Sequence, residues 1–240
     1  MGIGYNPQIS TGNLVFHIDG ANRKSYPGTG NLIINLIDTT RTGNLANKTS
    51  SSTKYNSNNL GIMAFNGAGD YIDFGAYDLG IEAKNKTFCA WINPTSYPSG
   101  TLAPLVDRDE ETAGYGFWLS NAGKLWFWPG TNIDQVDDGP YSAASNTWTH
   151  VAISYDISTN QCKFYYNGLL SSTKTALNDD VAPSATNRLC IGALRNRGEI
   201  GSFGTAVYQG FIASVSLYTK VLTQEEIIQN FNALRGRFGV

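Results

Sequence analysis

Trp148-Thr149-His150-Val151-Ala152-Ile153-Ser154-Tyr155-Asp156, then Cys162-Lys163-Phe164-Tyr165-Tyr166, then Asn167-Gly168 and Leu169-Leu170-Ser171-Ser172, reads as three strands joined by two tight turns. Val151, Ile153 and Tyr155 share one face of the first strand, and His150, Ala152 and Ser154 take the other. Ser158-Thr159-Asn160 makes the first turn. Asn167-Gly168 makes the second, because both residues accept positive φ and a two-residue hairpin loop demands it.

Working outward, a second hairpin runs Tyr115-Gly116-Phe117-Trp118-Leu119-Ser120, Asn121-Ala122-Gly123, Lys124-Leu125-Trp126-Phe127-Trp128. A type I turn closed by Gly123 in the left-handed region sets Ser120 opposite Lys124 and Trp118 opposite Trp126. Trp118, Trp126 and Trp128 then share one face, while Tyr115, Phe117, Leu125 and Phe127 share the other. Further strands are predicted at Leu14–Ile18, Ile62–Phe65, Tyr71–Phe74, Thr87–Ile92, Arg188–Ile191 and Gly210–Tyr218. Thr223-Gln224-Glu225-Glu226 is a capping box, and Ile227, Ile228, Phe231 and Leu234 follow at helical spacing, so one helix is predicted at about residues 224–235. The polar stretch Gly43–Asn59 reads as a surface loop. Residues 1–12 read as an N-terminal arm, 13–235 as one domain and 236–240 as a C-terminal tail.

The chain has 240 residues, 15% of them charged, with a formal charge of −2 and 26 glycines. Its length suits one all-β domain with turn signals every ~8–12 residues, a sandwich or a barrel. No basic block marks a nucleic-acid partner. No apolar run approaches the ~20 residues of a membrane-spanning helix, and the first residues lack a secretory signal pattern. Cys89, Cys162 and Cys190 are odd in number and unpaired in spacing, which predicts buried thiols rather than disulfides or a zinc site.

Four landmarks in order resemble the concanavalin A-like lectin/glucanase superfamily in its laminin-G-like branch. They are Phe65-Asn66-Gly67-Ala68-Gly69-Asp70-Tyr71-Ile72, Thr87-Phe88-Cys89-Ala90-Trp91-Ile92-Asn93-Pro94, Trp148–Asp156 and Tyr166-Asn167-Gly168. The resemblance implies an all-β, two-sheet antiparallel jelly-roll sandwich with one short C-terminal helix. The segments Leu14–Asn22, Ser25–Gly28 and Asn230–Gly239 are also similar to laminin-G-like proteins encoded by tailed bacteriophages. That narrower likeness implies a non-enzymatic structural or decorating protein on a virion surface, in capsid or tail, forming homo-oligomers among other virion proteins and contacting host-surface glycans. A carbohydrate-binding lectin-like module is the alternative, and a glycan hydrolase the third reading.

Hydrolysis of a glycosidic bond needs two carboxyl groups flanking it. The six glutamates, Glu82, Glu110, Glu111, Glu199, Glu225 and Glu226, do not form the Glu-x-Asp-x-(x)-Glu strand of the related glucanases. Asp107-Arg108-Asp109-Glu110-Glu111 reads as leading into a turn. His17 and His150 are the only histidines, no G-x-S-x-G elbow accompanies them, and both are expected to face the opposite sheet. Sugar or partner binding falls instead to Trp118, Trp126 and Trp128, with Tyr115 and Tyr141 near them in sequence, since aromatic rings stack on the apolar face of a pyranose. No cofactor is required. Calcium, which takes loop carboxylates, is the candidate cation, at Asp107 and Asp109 or at Asp137 and Asp138 near Asp134.

Overall fold

A computed structural model describes residues 8–47, 55–81, 84–97, 102–109, 114–129, 135–175, 187–194 and 206–240. The strands in chain order are β1 (Leu14–Asp19), β2 (Leu32–Ile34), β3 (Thr42–Asn47), β4 (Tyr55–Asn56), β5 (Ile62–Asn66), β6 (Asp70–Ala76), β7 (Lys86–Ser96) and β8 (Ala103–Asp109). They continue as β9 (Gly114–Leu119), β10 (Leu125–Trp128), β11 (Gln135–Val136), β12 (Thr149–Asp156), β13 (Gln161–Tyr166), β14 (Leu169–Lys174), β15 (Arg188–Ile191) and β16 (Gln209–Tyr218), and the chain closes with helix α1 (Gln224–Phe238). Every strand pairing among the described residues is antiparallel. The first sheet runs β14-β13-β12-β7-β16-β5-β4, with β1 also paired to β16, and the second runs β11-β10-β9-β8-β15-β6-β3-β2. All six strands predicted singly, both hairpins and the helix start are present.

The predicted turn chemistry is realised residue by residue. Asn167 and Gly168 sit at φ 50° and 81°, and Gly123 at φ 70°. Leu125 consequently faces Leu119, and Trp126 faces Trp118. Inward side chains of the two sheets, among them Phe88, Val151, Ile153 and Tyr155 from the first and Tyr115, Phe117, Leu125 and Phe127 from the second, form one continuous core. Cys89, Cys162 and Cys190 are buried, as expected.

Both faces of the first sheet are covered. Alternate residues of β7, β12 and β16 point away from the core and are roofed by α1, so β12 reads as an almost unbroken buried run. Beneath the helix, Cys89, Ala152, Tyr165 and Tyr218 pack with Leu222 and Ile227, and Trp91 packs with Ala213 and Phe238. Trp91 stacks on Phe231 and Phe238 at ring-centroid distances of 5.7 and 4.4 Å, and Trp148 meets Phe238 at 4.4 Å. The helix start is the predicted capping box. Thr223 Oγ1 accepts from the Glu226 amide at 3.3 Å, and the Thr223 amide donates to Glu226 Oε2 at 3.0 Å.

Four sequence expectations need correction. The helix runs to Phe238 rather than ending near 235, because Phe238 is buried against two tryptophans and Gly239 closes the last turn in the left-handed region at φ 70°. Within Gly43–Asn59, β3 hydrogen-bonds along β6 and β4 along β5; residues 48–54 lie outside the described set. Of the N-terminal arm, residues 1–7 also lie outside it, whereas Ser10 is buried on α1, its amide donating to Asn230 Oδ1 at 2.7 Å and its carbonyl accepting from Tyr218 at 3.0 Å. Neither histidine faces the opposite sheet. His150 lies under the helix between Trp91 and Phe231, and His17 turns its Nδ1 to Ser216 Oγ, 2.9 Å away.

Candidate functional site

Among the described residues no helix lies over the outer face of the second sheet, and the row Trp128, Gly116, Asp107, Cys190, Asp73, Asn44 crosses five neighbouring strand pairings there. At ~4.8 Å per strand the span from Trp128 to Asp73 is about 19 Å. Asp107 was read as a loop carboxylate, but it stands on β8, which continues through Asp109. A bulge between Pro104 and Val106 leaves Asp107 on the outer face while its neighbours Val106 and Arg108 turn inward.

The three tryptophans share that face as predicted, in unequal roles. Trp118 and Trp128 stack at 6.1 Å with 14° between their planes, and both are buried. Trp118 Nε1 donates to Asp107 Oδ1 at 3.0 Å, and Asp107 is fully buried. The Trp118 indole lies over Gly116, where any Cβ would collide with it. A Gly116→Val variant should therefore expel Trp118 from its slot and cost about 1–3 kcal/mol, read from the urea midpoint and from a shifted tryptophan emission; unchanged emission would contradict the packing. Trp126 alone stays half-buried. Its Nε1 is enclosed and has no hydrogen-bond partner among the described residues, so the part still open is carbon surface.

At the other end of the row, Arg188 holds Asp73 through Nε at 3.0 Å and through Nη2, while Asp73 Oδ1 also accepts from the Gly75 amide. The Arg188 side chain keeps 26% of its surface exposed. Arg188 and Asp73 were not singled out in the sequence as part of an aromatic face. The signal lay in Arg188-Leu189-Cys190-Ile191, where two core residues alternate with two that must point outward.

Other predicted residues lie elsewhere. Tyr115 faces the core, fully buried against Phe88, and cannot touch a ligand on the outer face. Tyr141, 38% exposed, packs on Tyr166 at the sandwich edge, 6.4 Å between centroids, and its carbonyl accepts from Lys124 Nζ. Asp137 is taken up by the hydroxyls of Ser171 at 2.8 Å and Ser172 at 2.5 Å, which tie the β11 edge of one sheet to β14 of the other. Asp138 pairs with Lys174, which together with the Ser172 hydroxyl holds its carboxyl below the usual range. Asp107 and Asp137 thus sit on opposite sides of β9 and β10 and do not converge. The Asp109 side chain, Asp134, Glu82, Glu110, Glu111 and Glu199 lie outside the described residues. Among the described residues no three His, Cys, Asp or Glu side chains group as a metal site, and no helix is long and apolar enough to cross a membrane. The two described glutamates serve the helix start, Glu226 also meeting Lys220 and the Ser10 hydroxyl.

Comparison with curated proteins yields no match. Among solved structures, the chain is similar to domain 4 of AbnA, a GH43 extracellular arabinanase from Geobacillus stearothermophilus, in complex with arabinotriose, with 17% identity, TM-score 0.63, and 92% of this chain and 99% of that one covered. It is also similar to Trypanosoma rangeli sialidase in complex with sialic acid, with 16% identity and TM-score 0.65 over 95% of this chain and 34% of that one. The binding domain of Paraclostridial Mosquitocidal Protein 1 gives 17% identity and TM-score 0.66 over 92% and 52%. The chain thus spans about a third of the sialidase and about half of the toxin's binding domain. Identities this low speak for the fold alone. Residues 66–228, more than half the chain, match the model of a laminin-G family described as concanavalin A-like lectin/glucanases superfamily, and to that superfamily the chain belongs.

Proposed function

We propose that this is a non-catalytic glycan-binding domain working through the outer face of the second sheet, with Trp126 as the ring that meets sugar. The observation that supports it best is the unequal burial of the three tryptophans. Trp118 and Trp128 form a rigid packed wall, and Trp126 beside them offers open carbon surface suited to the apolar face of a pyranose. Arg188 and exposed Asn44 supply donors for hydroxyl groups along the same face. A similar domain solved with arabinotriose and a similar toxin binding domain agree with a recognition role. Asp73 is committed to Arg188 and Asp107 to Trp118, an arrangement that fixes carboxylates rather than freeing them for proton transfer. Calcium plays no part in this reading.

On a glycan array, wild-type protein should retain a subset of ligands and Trp126→Ala should weaken that binding by about 2 kcal/mol, roughly thirtyfold. Equal retention by the variant would refute the assignment of Trp126. Release of reducing sugar, lost on Asp73→Asn or Asp107→Asn, would replace the binding role with a hydrolytic one.

The setting we propose is the surface of a tailed-phage particle, where the domain decorates capsid or tail as a homo-oligomer among other virion proteins and meets host glycans. Its support is the likeness of Leu14–Asn22 and Asn230–Gly239 to phage-encoded proteins. In the fold those two segments are joined, Arg237 Nη1 donating to Asp19 Oδ1 at 2.7 Å. Purified particles should contain the protein at fixed stoichiometry by mass spectrometry, and its absence from them would remove the setting without touching the glycan face.

A further inference from the structure

A groove of about 310 Å³ opens on the far side of the molecule from the tryptophan face, where α1, the residues leading into β1 and the turn after β2 meet. Ile9, Leu14, Leu36, Ile37 and Leu234 form its apolar walls. Ile37 remains 47% exposed, so an isoleucine is left open to water at its rim. Ligand sites characteristically combine such walls with a few placed polar groups. Here Gln8, Thr11 and Asn22 supply neutral polar groups, and His17 and Asp19 the titratable ones.

The chemistry of these two residues defines what fits. His17 Nδ1 lies 2.9 Å from Ser216 Oγ and 3.3 Å from the Val215 carbonyl oxygen. A carbonyl only accepts, so in the tautomer that satisfies it the proton sits on Nδ1, and Nε2 then presents a lone pair. Nε2 has no partner among the described residues. Burial, outweighing the nearby Asp19, lowers the affinity of the ring for a second proton and favours the neutral imidazole. Asp19 Oδ1 accepts from the Ala21 amide at 2.9 Å and from Arg237, so its charge is matched within the protein. The other charged groups nearby, Glu226 and Lys220 at the helix start, pair with each other.

We propose that this groove binds a small uncharged molecule with an aromatic or alicyclic body and one hydroxyl, which donates to His17 Nε2. At about 30 Å³ per water the space equals roughly ten water molecules, the scale of a single ring with substituents. The site lies on the first sheet's side and is independent of the glycan face.

Phenol is the probe, and toluene, which lacks the hydroxyl, is the control. Titrated against the full chain, phenol should give saturable shifts of the backbone amides at residues 36–37 and 233–234 at millimolar concentration, together with a changed nitrogen shift at His17 Nε2. Toluene should bind at least tenfold more weakly, since it leaves the acceptor unpaired. His17→Phe should bring phenol down to the level of toluene, and Ile37→Trp, filling the exposed rim, should weaken both. Shifts that never saturate, equal binding of phenol and toluene, or an unmoved Nε2 signal would each overturn the proposal. The Nε2 measurement needs no variant, so it decides the matter even where His17→Phe does not fold.

Discussion

Lowering the pH from about 6.5 to about 4.5 should cost the fold on the order of 3 kcal/mol through His150 alone. His150 is buried between Trp91 and Phe231, its Nδ1 without a partner among the described residues, and burial pushes its pKa down to about 3 from an ordinary 6.5. The small cavity beside it is lined by Cys89, Trp91, Ser214, Ser216 and Asn230, with no carboxylate to welcome a proton. The unfolded chain therefore binds a proton that the native protein refuses. Stability is full above about pH 6.5 and falls by about 1.4 kcal/mol per pH unit until the folded pKa is reached. His17, also lowered by burial, acts with the same sign. Urea denaturation across this range should give a clearly flatter profile for His150→Phe than for the wild type. Parallel profiles above pH 5, where carboxylates contribute little, would refute the account. Because His150 underlies α1, hydrogen exchange in the helix should accelerate before that in β7 and β12.

Trp91→Ala should destabilise the protein by about 3–5 kcal/mol. Trp91 is 1% exposed and is the ring on which Phe231, Phe238 and His150 converge. Its cluster is separate from the main core between the sheets, so the strand signal in circular dichroism should persist while the helix loosens. Trp91→Phe should recover much of the loss by keeping a stacked ring. A cost under 1 kcal/mol for the alanine variant, in the same urea assay, would show that the helix is held by its ends rather than by this stack.

Much of the architecture was legible because local chemistry and the final fold agree. Asn167-Gly168 fixes a turn, Gly123 fixes a register, and Thr223 with Glu226 fixes a helix start. What escaped has physical causes. Among the described side chains of strand β3, Thr42-Gly43-Asn44-Leu45-Ala46-Asn47, only Leu45 is large and buried, so its pairing with β6 rather than any pattern of its own makes it extended. The helix end hid behind Gly236, a poor helix former, because the anchoring Phe238 finds its partners about 90 and 147 residues earlier, at Trp148 and Trp91. Alternation groups His150 with Ala152 and Ser154 as expected, but the face they share lies under α1 and not toward the opposite sheet. Alternation shows which residues share a side and not what lies over it. The aromatic face was legible as a register, whereas its division into a buried pair and one open ring depends on Gly116 and Asp107, which pattern alone does not connect.

The pairing of β1 with β16 reaches across almost the whole length of the polypeptide. During synthesis the segment around residues 14–19 leaves the ribosome long before its partner at 209–218 exists, and among the described residues β16 is its only sheet neighbour. Such distant closure raises contact order and slows the final step. Arg237 then latches Asp19 only when the last helix has formed, so the nascent protein passes through an interval in which its first strand is exposed, a window in which a holding chaperone would act.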